Sequence, residues 1–424
     1  MQTSDSPRRL EARNIRYLTY DTATFGIVQA GIVSFIAVYL VRLGAPNAVV
    51  GFLASAPALG AIFLSLPAAA WLEGRRDLVR IVVFTRVFLR LPLLFIAIVP
   101  FFLTGDALIW TIVALWTLTS FPAAIVNQAW TGVVAAVIPG NRRAQVNGNR
   151  WAFFSVVTAI AGAAFGRSLD LIVDPLNFQI VFAISFLAGW ATIHFFAQIR
   201  MPDIPDDGEP TRPTRPPAPR LGDLVRMVRA YPSFMRFILT AFVYRIGLNL
   251  PVALMAIYWV REAHASNTTI GIQNTAANLT LILSYLIWGR LAVRRGHRIV
   301  LLLASAGTSL YPLATSFVTN ELWLIPVALI FGAFASGIDV SFFEALLRSS
   351  PPERLQTFIG INASLANLVI FVAPIGGTLL ANVIGIHAAL IAAAVISLIG
   401  TGLFYSFSIA QEEKVPPARV MSAA

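Results

Sequence analysis

The chain has 424 residues, 57% of them hydrophobic and only 12% charged, with a mean hydropathy of +0.76. Soluble domains carry about a quarter of their residues as charge, so this composition excludes an ordinary soluble fold and points to the membrane class. The net charge of +11 does not indicate nucleic acid, because the arginines lie between apolar runs rather than on one face of a soluble domain.

Twelve apolar runs follow one another at residues 17–41, 47–72, 79–103, 107–137, 150–173, 177–199, 234–260, 268–292, 299–318, 323–347, 356–383 and 387–409. Backbone groups in lipid must bond within their own segment, so each run is predicted to be a helix. The first run is too long for the apolar core of a cleavable leader and reads as the first span. Between the sixth and seventh runs, residues 200–231 are rich in Pro, Asp and Arg. They predict a solvated linker that ends in a short amphipathic segment, Leu221 to Tyr231, lying on the membrane surface. The expected organisation is therefore an all-α membrane protein of two six-helix bundles, 1–199 and 232–410, joined by the linker 200–231 and followed by a tail, 411–424.

Arginine placement predicts orientation. Arg8, Arg9, Arg13 and Arg16 precede the first span; Arg75, Arg76 and Arg80 fall in the 2–3 loop, and Arg142, Arg143 and Arg150 around the 4–5 loop. The linker and the start of the seventh span, the 8–9 loop (Arg290, Arg294, Arg295, Arg298) and the 10–11 loop (Arg348, Arg354) add to the same side. Arg42, Arg167 and Arg261 fall opposite. Both termini and the linker are expected in the cytoplasm of a multi-pass protein of the cytoplasmic (plasma) membrane.

The halves echo one another. In "YLVRLGAPNAVVG" (39–51) and "YWVREAHASNTTIG" (258–271), Tyr39, Val41, Arg42 and Gly51 fall opposite Tyr258, Val260, Arg261 and Gly271. "PGNRRAQVNG" (139–148) aligns with "PPERLQTFIG" (351–360) in Pro, Arg and Gly. This predicts a duplicated six-helix unit, the architecture of secondary transporters that bind at the interface of two parallel repeats.

Residues 289–298, "GRLAVRRGHR", resemble the loop signature G-x-x-x-[DN]-R-x-G-R-[RK] of the major facilitator superfamily through Gly289, Arg294, Gly296 and Arg298. The first copy keeps only Gly74, Arg75 and Arg76. "EALLR" resembles the family's E-x-x-x-R at the end of the tenth helix, through Glu344 and Arg348. The resemblance implies an ion-pair network, formed when the cytoplasmic side is closed, in which Glu344 and Arg348 meet Arg75, Arg76, Arg294 and Arg298. It also implies a central cavity lined by helices one, four, seven and ten.

Ionisable groups at membrane depth are functional candidates, because each costs several kcal/mol unless paired or hydrated. Arg245 lies about 16 Å into the seventh span at 1.5 Å per residue, with Asn249 one turn beyond on the same face. Asp339 is at middle depth in the tenth span, and the repeat alignment sets Asn127 opposite it, beside Gln128 and Trp130. An Arg245–Asp339 pair across the cavity is the sharpest expectation, against a structural pair that only fixes packing. Asp21 is expected to pair with Arg150, and Arg86 and Arg90 to pair structurally or snorkel. Histidines are scattered and cysteine is absent, so neither a metal site nor a cofactor is expected, and no catalytic motif is found.

These observations predict a secondary active transporter of a small organic solute, working by alternating access as a monomer and coupled to protons through Asp339 or Asp21. An uptake symporter and an efflux pump for drug-like molecules both fit. The alternative is a non-transporting protein of the same fold, a pigment-assembly factor or sensor, in which Arg245 and Asp339 face neighbouring helices.

Overall fold

The computed structural model describes residues 7–75, 77–140, 142–201 and 221–409. Arg76, most of the linker and the tail lie outside the described residues. Among the described residues, twelve helices are long and apolar enough to cross a membrane. They are α1 (Arg8–Arg42), α2 (Asn47–Leu72), α3 (Leu78–Phe101), α4 (Gly105–Val137), α5 (Gln145–Leu171) and α6 (Leu176–Ala197). The second set is α7 (Pro232–Glu262), α8 (Asn267–Arg295), α9 (His297–Thr315), α10 (Glu321–Ser349), α11 (Thr357–Ile384) and α12 (Ile386–Ser406). No strand occurs among the described residues.

These bounds track the apolar runs except at α1, which starts well before its run. The polar turns of residues 8–16 continue the helix, and Asn14 explains why. Its side chain donates to the Arg200 carbonyl at 2.8 Å and accepts from the Arg200 amide at 3.1 Å, anchoring the helix start to the chain leaving α6. The amphipathic segment before α7 is a separate short helix, Leu221–Ala230.

Within the first bundle α1 packs on α5 and α6, α2 on α4, and α3 on α4 and α6. Within the second, α7 packs on α11 and α12, α8 on α10, and α9 on α10 and α12. Two helix pairs carry most of the contact between the bundles, α5 with α8 and α2 with α11, and α7 also meets α1 and α2. The α5–α8 crossing is close because both helices present glycine there. A Cβ on Gly166 would stand 2.5 Å from the Asn267 carbonyl oxygen, and one on Gly271 would stand 2.4 Å from that of Gly162. Small residues of this kind let helix backbones approach in lipid.

The buried apolar side chains show where the bundles are fused. One cluster runs through both, from Phe35, Tyr39 and Leu53 to Leu254, Tyr258, Ile270 and Leu390, at the end where α1 and α7 finish. Towards the other end the cores separate: Leu18, Val82, Val133 and Phe196 belong to the first bundle alone, and Phe237, Tyr244, Leu346 and Phe404 to the second. Phe63, Leu66, Phe84, Ile160, Leu187 and Leu286 are exposed on the outside. In water they would be a liability; in lipid they form the expected apolar perimeter.

Candidate functional site

A cavity of about 440 Å³ lies against α7, α10 and α11 and is lined by Arg245, Asn249, Asp339, Phe342 and Asn362 among others. Helix periodicity sets this wall. Arg245 and Asn249 are four apart on one face of α7, and the Asn249 amide donates to the Arg245 carbonyl at 2.8 Å. Arg245 Nη1 donates to Asn362 Oδ1 at 3.0 Å, and the guanidinium sits 4.5 Å from the ring centre of Phe342. Those partners are neutral, so the charge is hydrogen-bonded and faced by a π-system, but not neutralised.

Arg245 and Asp339 share this cavity without forming an ion pair. The Asp339 carboxylate instead accepts from the Tyr285 hydroxyl of α8 at 2.6 Å. The cavity therefore holds one cation and one acid, each held by a neutral side chain of another helix. A bound solute could approach either group without first breaking a salt bridge.

On the first bundle Asn127 and Gln128 are exposed on α4. Trp130 is turned to other work: its ring lies 4.9 Å from the Arg150 guanidinium, against the first bundle's own core. Arg150 does not pair with Asp21, contrary to expectation. Its Nε and Nη2 donate to the Thr22 hydroxyl at 3.1 and 2.7 Å. The partner of Asp21 is Arg86 of α3, through both carboxylate oxygens, and both side chains are buried. Similar depth made Arg150 a fair choice, but α3 presents Arg86 inward, where its Nη1 also donates to the Thr192 carbonyl at 3.1 Å. Arg90, one turn on, is buried too and reaches the Thr192 hydroxyl at 3.4 Å.

The expected gate residues are not gathered in this conformation. Glu344 and Arg348 pair with each other along α10 at 2.7 Å. Arg294 is exposed, Arg298 donates to the Tyr405 carbonyl of α12 at 3.3 Å, and Arg75 bonds the Trp71 carbonyl of its own helix at 3.1 Å.

The opposite end is closed by a reciprocal pair of arginines. Arg42, at the end of α1, donates to Asn267 Oδ1 at 3.0 Å and to the Ala265 carbonyl at 2.8 Å. Arg261, at the end of α7, donates to Asn47 Oδ1 at 2.7 Å and to the Ala45 carbonyl at 2.6 Å. These are the two arginines that the repeat alignment sets opposite one another, and each clasps the hairpin of the other bundle. Asp170 of α5 adds a helix cap across the same interface, accepting from the backbone amides of Asn267 and Thr268 at 3.0 and 2.7 Å. Asn47 and Asn382 join α2 to α11 at 2.8 Å.

The family model described as Major Facilitator Superfamily matches residues 237–421, nearly all of the second bundle. By sequence, the second half of the chain is similar to the major facilitator superfamily. Solved structures similar to it include a bacterial homologue of the iron transporter ferroportin in an inward-facing state, at 12% identity and a TM-score of 0.70, covering 95% of this chain and 100% of that one. The nucleoside transporter NupG is similar at 13% identity and a TM-score of 0.66, covering 94% and 99%. A bacterial homologue of the human lysosomal transporter Spinster, inward-facing and occupied, is similar at 14% and 0.66, covering 96% and 98%. No curated protein matches the sequence. At these identities the likenesses establish the fold alone.

Sequence reasoning missed Tyr285, Asn362 and the arginine clasp. The first two are neutral polar groups, which stand out little in an apolar run. The clasp did leave a signal, since Arg42 and Arg261 align in the repeat, but that signal was absorbed by the orientation argument.

Proposed function

We propose that this protein is a secondary transporter that moves a small polar or anionic organic solute across the membrane by alternating access between its two bundles. The observation that carries this reading is the asymmetry of the interface. The bundles share one apolar core and the reciprocal arginine clasp at one end, and keep separate cores at the other. The arginine bias of the loops assigns the separated end to the cytoplasm, so this conformation is open inward.

Arg245 is the solute's anchor in this reading. Its Nε and Nη2 hydrogens have no acceptor among the described residues, and a guanidinium matches a carboxylate or phosphate with two parallel bonds. Asp339 is the acid available for proton coupling, with Tyr285 as its partner. When the bundles close over the solute, the arginine-rich loops and the Glu344–Arg348 pair come into reach of one another and take over the role that the clasp has here.

The test is uptake into proteoliposomes under an imposed pH gradient, across a panel of carboxylates, phosphorylated metabolites and nucleosides. Uptake of one class that Arg245→Ala abolishes, in a variant that still folds, supports the reading. A non-transporting sensor or assembly factor of the same fold gives no gradient-driven uptake for any of them.

A further inference from the structure

The cavity against α7, α10 and α11 also bears on the charge of its occupant. Every residue that lines it belongs to the second bundle, and Arg245 and Asp339 are its one cation and its one acid. Asn362 uses Arg245 Nη1, which leaves Nε and Nη2, the parallel donors along one edge of the guanidinium, without an acceptor among the described residues. Those two nitrogens are not shut away. Arg90 Nε is both unpaired and enclosed, whereas no nitrogen of Arg245 is. Two parallel N–H groups match the two oxygens of a carboxylate. Away from that edge the wall is largely apolar, with Leu248, Ile338, Phe342, Phe343, Ala366 and Ile370.

Charge then decides among the anions. With Asp339 ionised the empty site is neutral, Arg245 against Asp339. A bound monoanion alone makes it negative, a proton on Asp339 alone makes it positive, and the two together restore neutrality. Uncompensated charge at membrane depth is costly, so the empty and the doubly loaded forms are the ones that pass between inward-open and outward-open states. A dicarboxylate, or a phosphate monoester with close to two charges at neutral pH, leaves the site negative even when Asp339 is protonated. Tyr285 suits both forms of the acid. Its hydroxyl donates to the Asp339 carboxylate here at 2.6 Å, and a phenol can equally accept from a carboxylic acid. The other titratable groups on this wall are Arg245 and Tyr244 of α7.

We propose, resting on the transporter reading above, that the solute is a monocarboxylate with an apolar body, carried together with one proton so that no net charge crosses the membrane. The carboxylate seats on Nε and Nη2 of Arg245, and the apolar body lies against the aromatic and aliphatic wall. The proton is taken from water on the side of entry, is held on Asp339 during the crossing, and returns to water on release. No bond within the solute changes.

The test is calorimetric titration of the purified full-length chain, in detergent micelles, with benzoate, terephthalate and benzamide, which share a ring and carry one charge, two and none. Repeating the benzoate titration in buffers of different ionisation enthalpy, over a range of pH, counts the protons taken up. The expected result is saturable binding of one benzoate per chain with proton uptake that peaks close to one, and binding of terephthalate and benzamide about tenfold or more weaker. Asp339→Asn should bind benzoate without taking up a proton, and Arg245→Gln should lose it. The ligand series on the unaltered chain needs no variant, and thermal unfolding identifies any variant that fails to fold. Benzoate that does not saturate, a dianion or amide that binds as tightly, no proton uptake by the unaltered chain, or uptake that persists in Asp339→Asn overturns the proposal. Gradient-driven transport of a nucleoside or phosphorylated metabolite overturns it too, while leaving the transporter reading in place. Benzoate binding as expected, with no transport of any solute, overturns the transporter reading and with it the coupled movement.

Discussion

Removing both arginines of the clasp tests how the closed end is held. Arg42→Ala and Arg261→Ala each delete two hydrogen bonds that cross between the bundles. The four acceptors meet water when the bundles part, so no unsatisfied group is left behind and the loss is the net value of the bonds. At about 1–1.5 kcal/mol each, the value of an ordinary hydrogen bond rather than of a buried charged one, the double variant shifts the equilibrium by about 4–6 kcal/mol. That corresponds to a factor of about 10³ to 10⁴, the scale needed to turn a 1:99 population close to its reverse. The chain contains no cysteine, so spin labels can be placed uniquely. Asp106→Cys and Thr319→Cys put them at exposed positions of the two bundles at the clasped end, the first turn of α4 and the α9–α10 loop. The label–label distance is expected to lengthen in a large fraction of double-variant molecules and in a smaller fraction of each single variant. A distance distribution identical to that of the intact clasp refutes the reasoning and assigns closure to the shared apolar core alone.

Other outcomes follow from the same geometry. Arg86→Ala leaves the Asp21 carboxylate buried without its partner and should destabilise the protein by about 3–5 kcal/mol; Asp21→Asn with Arg86→Met should cost much less, both read by thermal unfolding in detergent. Gly166→Leu cannot be seated against the Asn267 backbone without moving α5 from α8, so the same spin-label pair should report an opened end. Asp339→Asn should abolish the dependence of uptake on the pH gradient while solute binding persists, whereas Tyr285→Phe should alter the pH profile and leave transport in place. If Asp339→Asn loses binding and gradient dependence together, Asp339 is a solute ligand and not the coupling acid.

The spans were legible because a membrane helix is written in one dimension: a long apolar run has few other fates in lipid. Even there α1 exceeded its run, because Asn14 anchors a polar helix start to Arg200, a contact 186 residues away in sequence. Arg245 and Asp339 were legible as charges within apolar runs, and they line one cavity. Pairing was not. Asp21 had three buried arginines at comparable depth, and the choice of Arg86 depends on which face α3 turns towards α1 and α6. The clasp lay further from reach, since the partners of Arg42 and Arg261 are fixed only when the two bundles dock. Tyr285 and Asn362 carry no charge, so neither leaves a mark on the hydropathy pattern.

The most direct test of alternating access is transport by a protein whose clasped end cannot open. Asn47 and Asn382 meet across α2 and α11 at that end, and Asn47→Cys with Asn382→Cys can be joined by oxidation or by a short bifunctional reagent. In proteoliposomes energised by a pH gradient, joining them should stop uptake of the solute that the wild-type protein accumulates, and reducing the disulfide should restore it. Uptake that continues undiminished with the two bundles covalently joined contradicts the account.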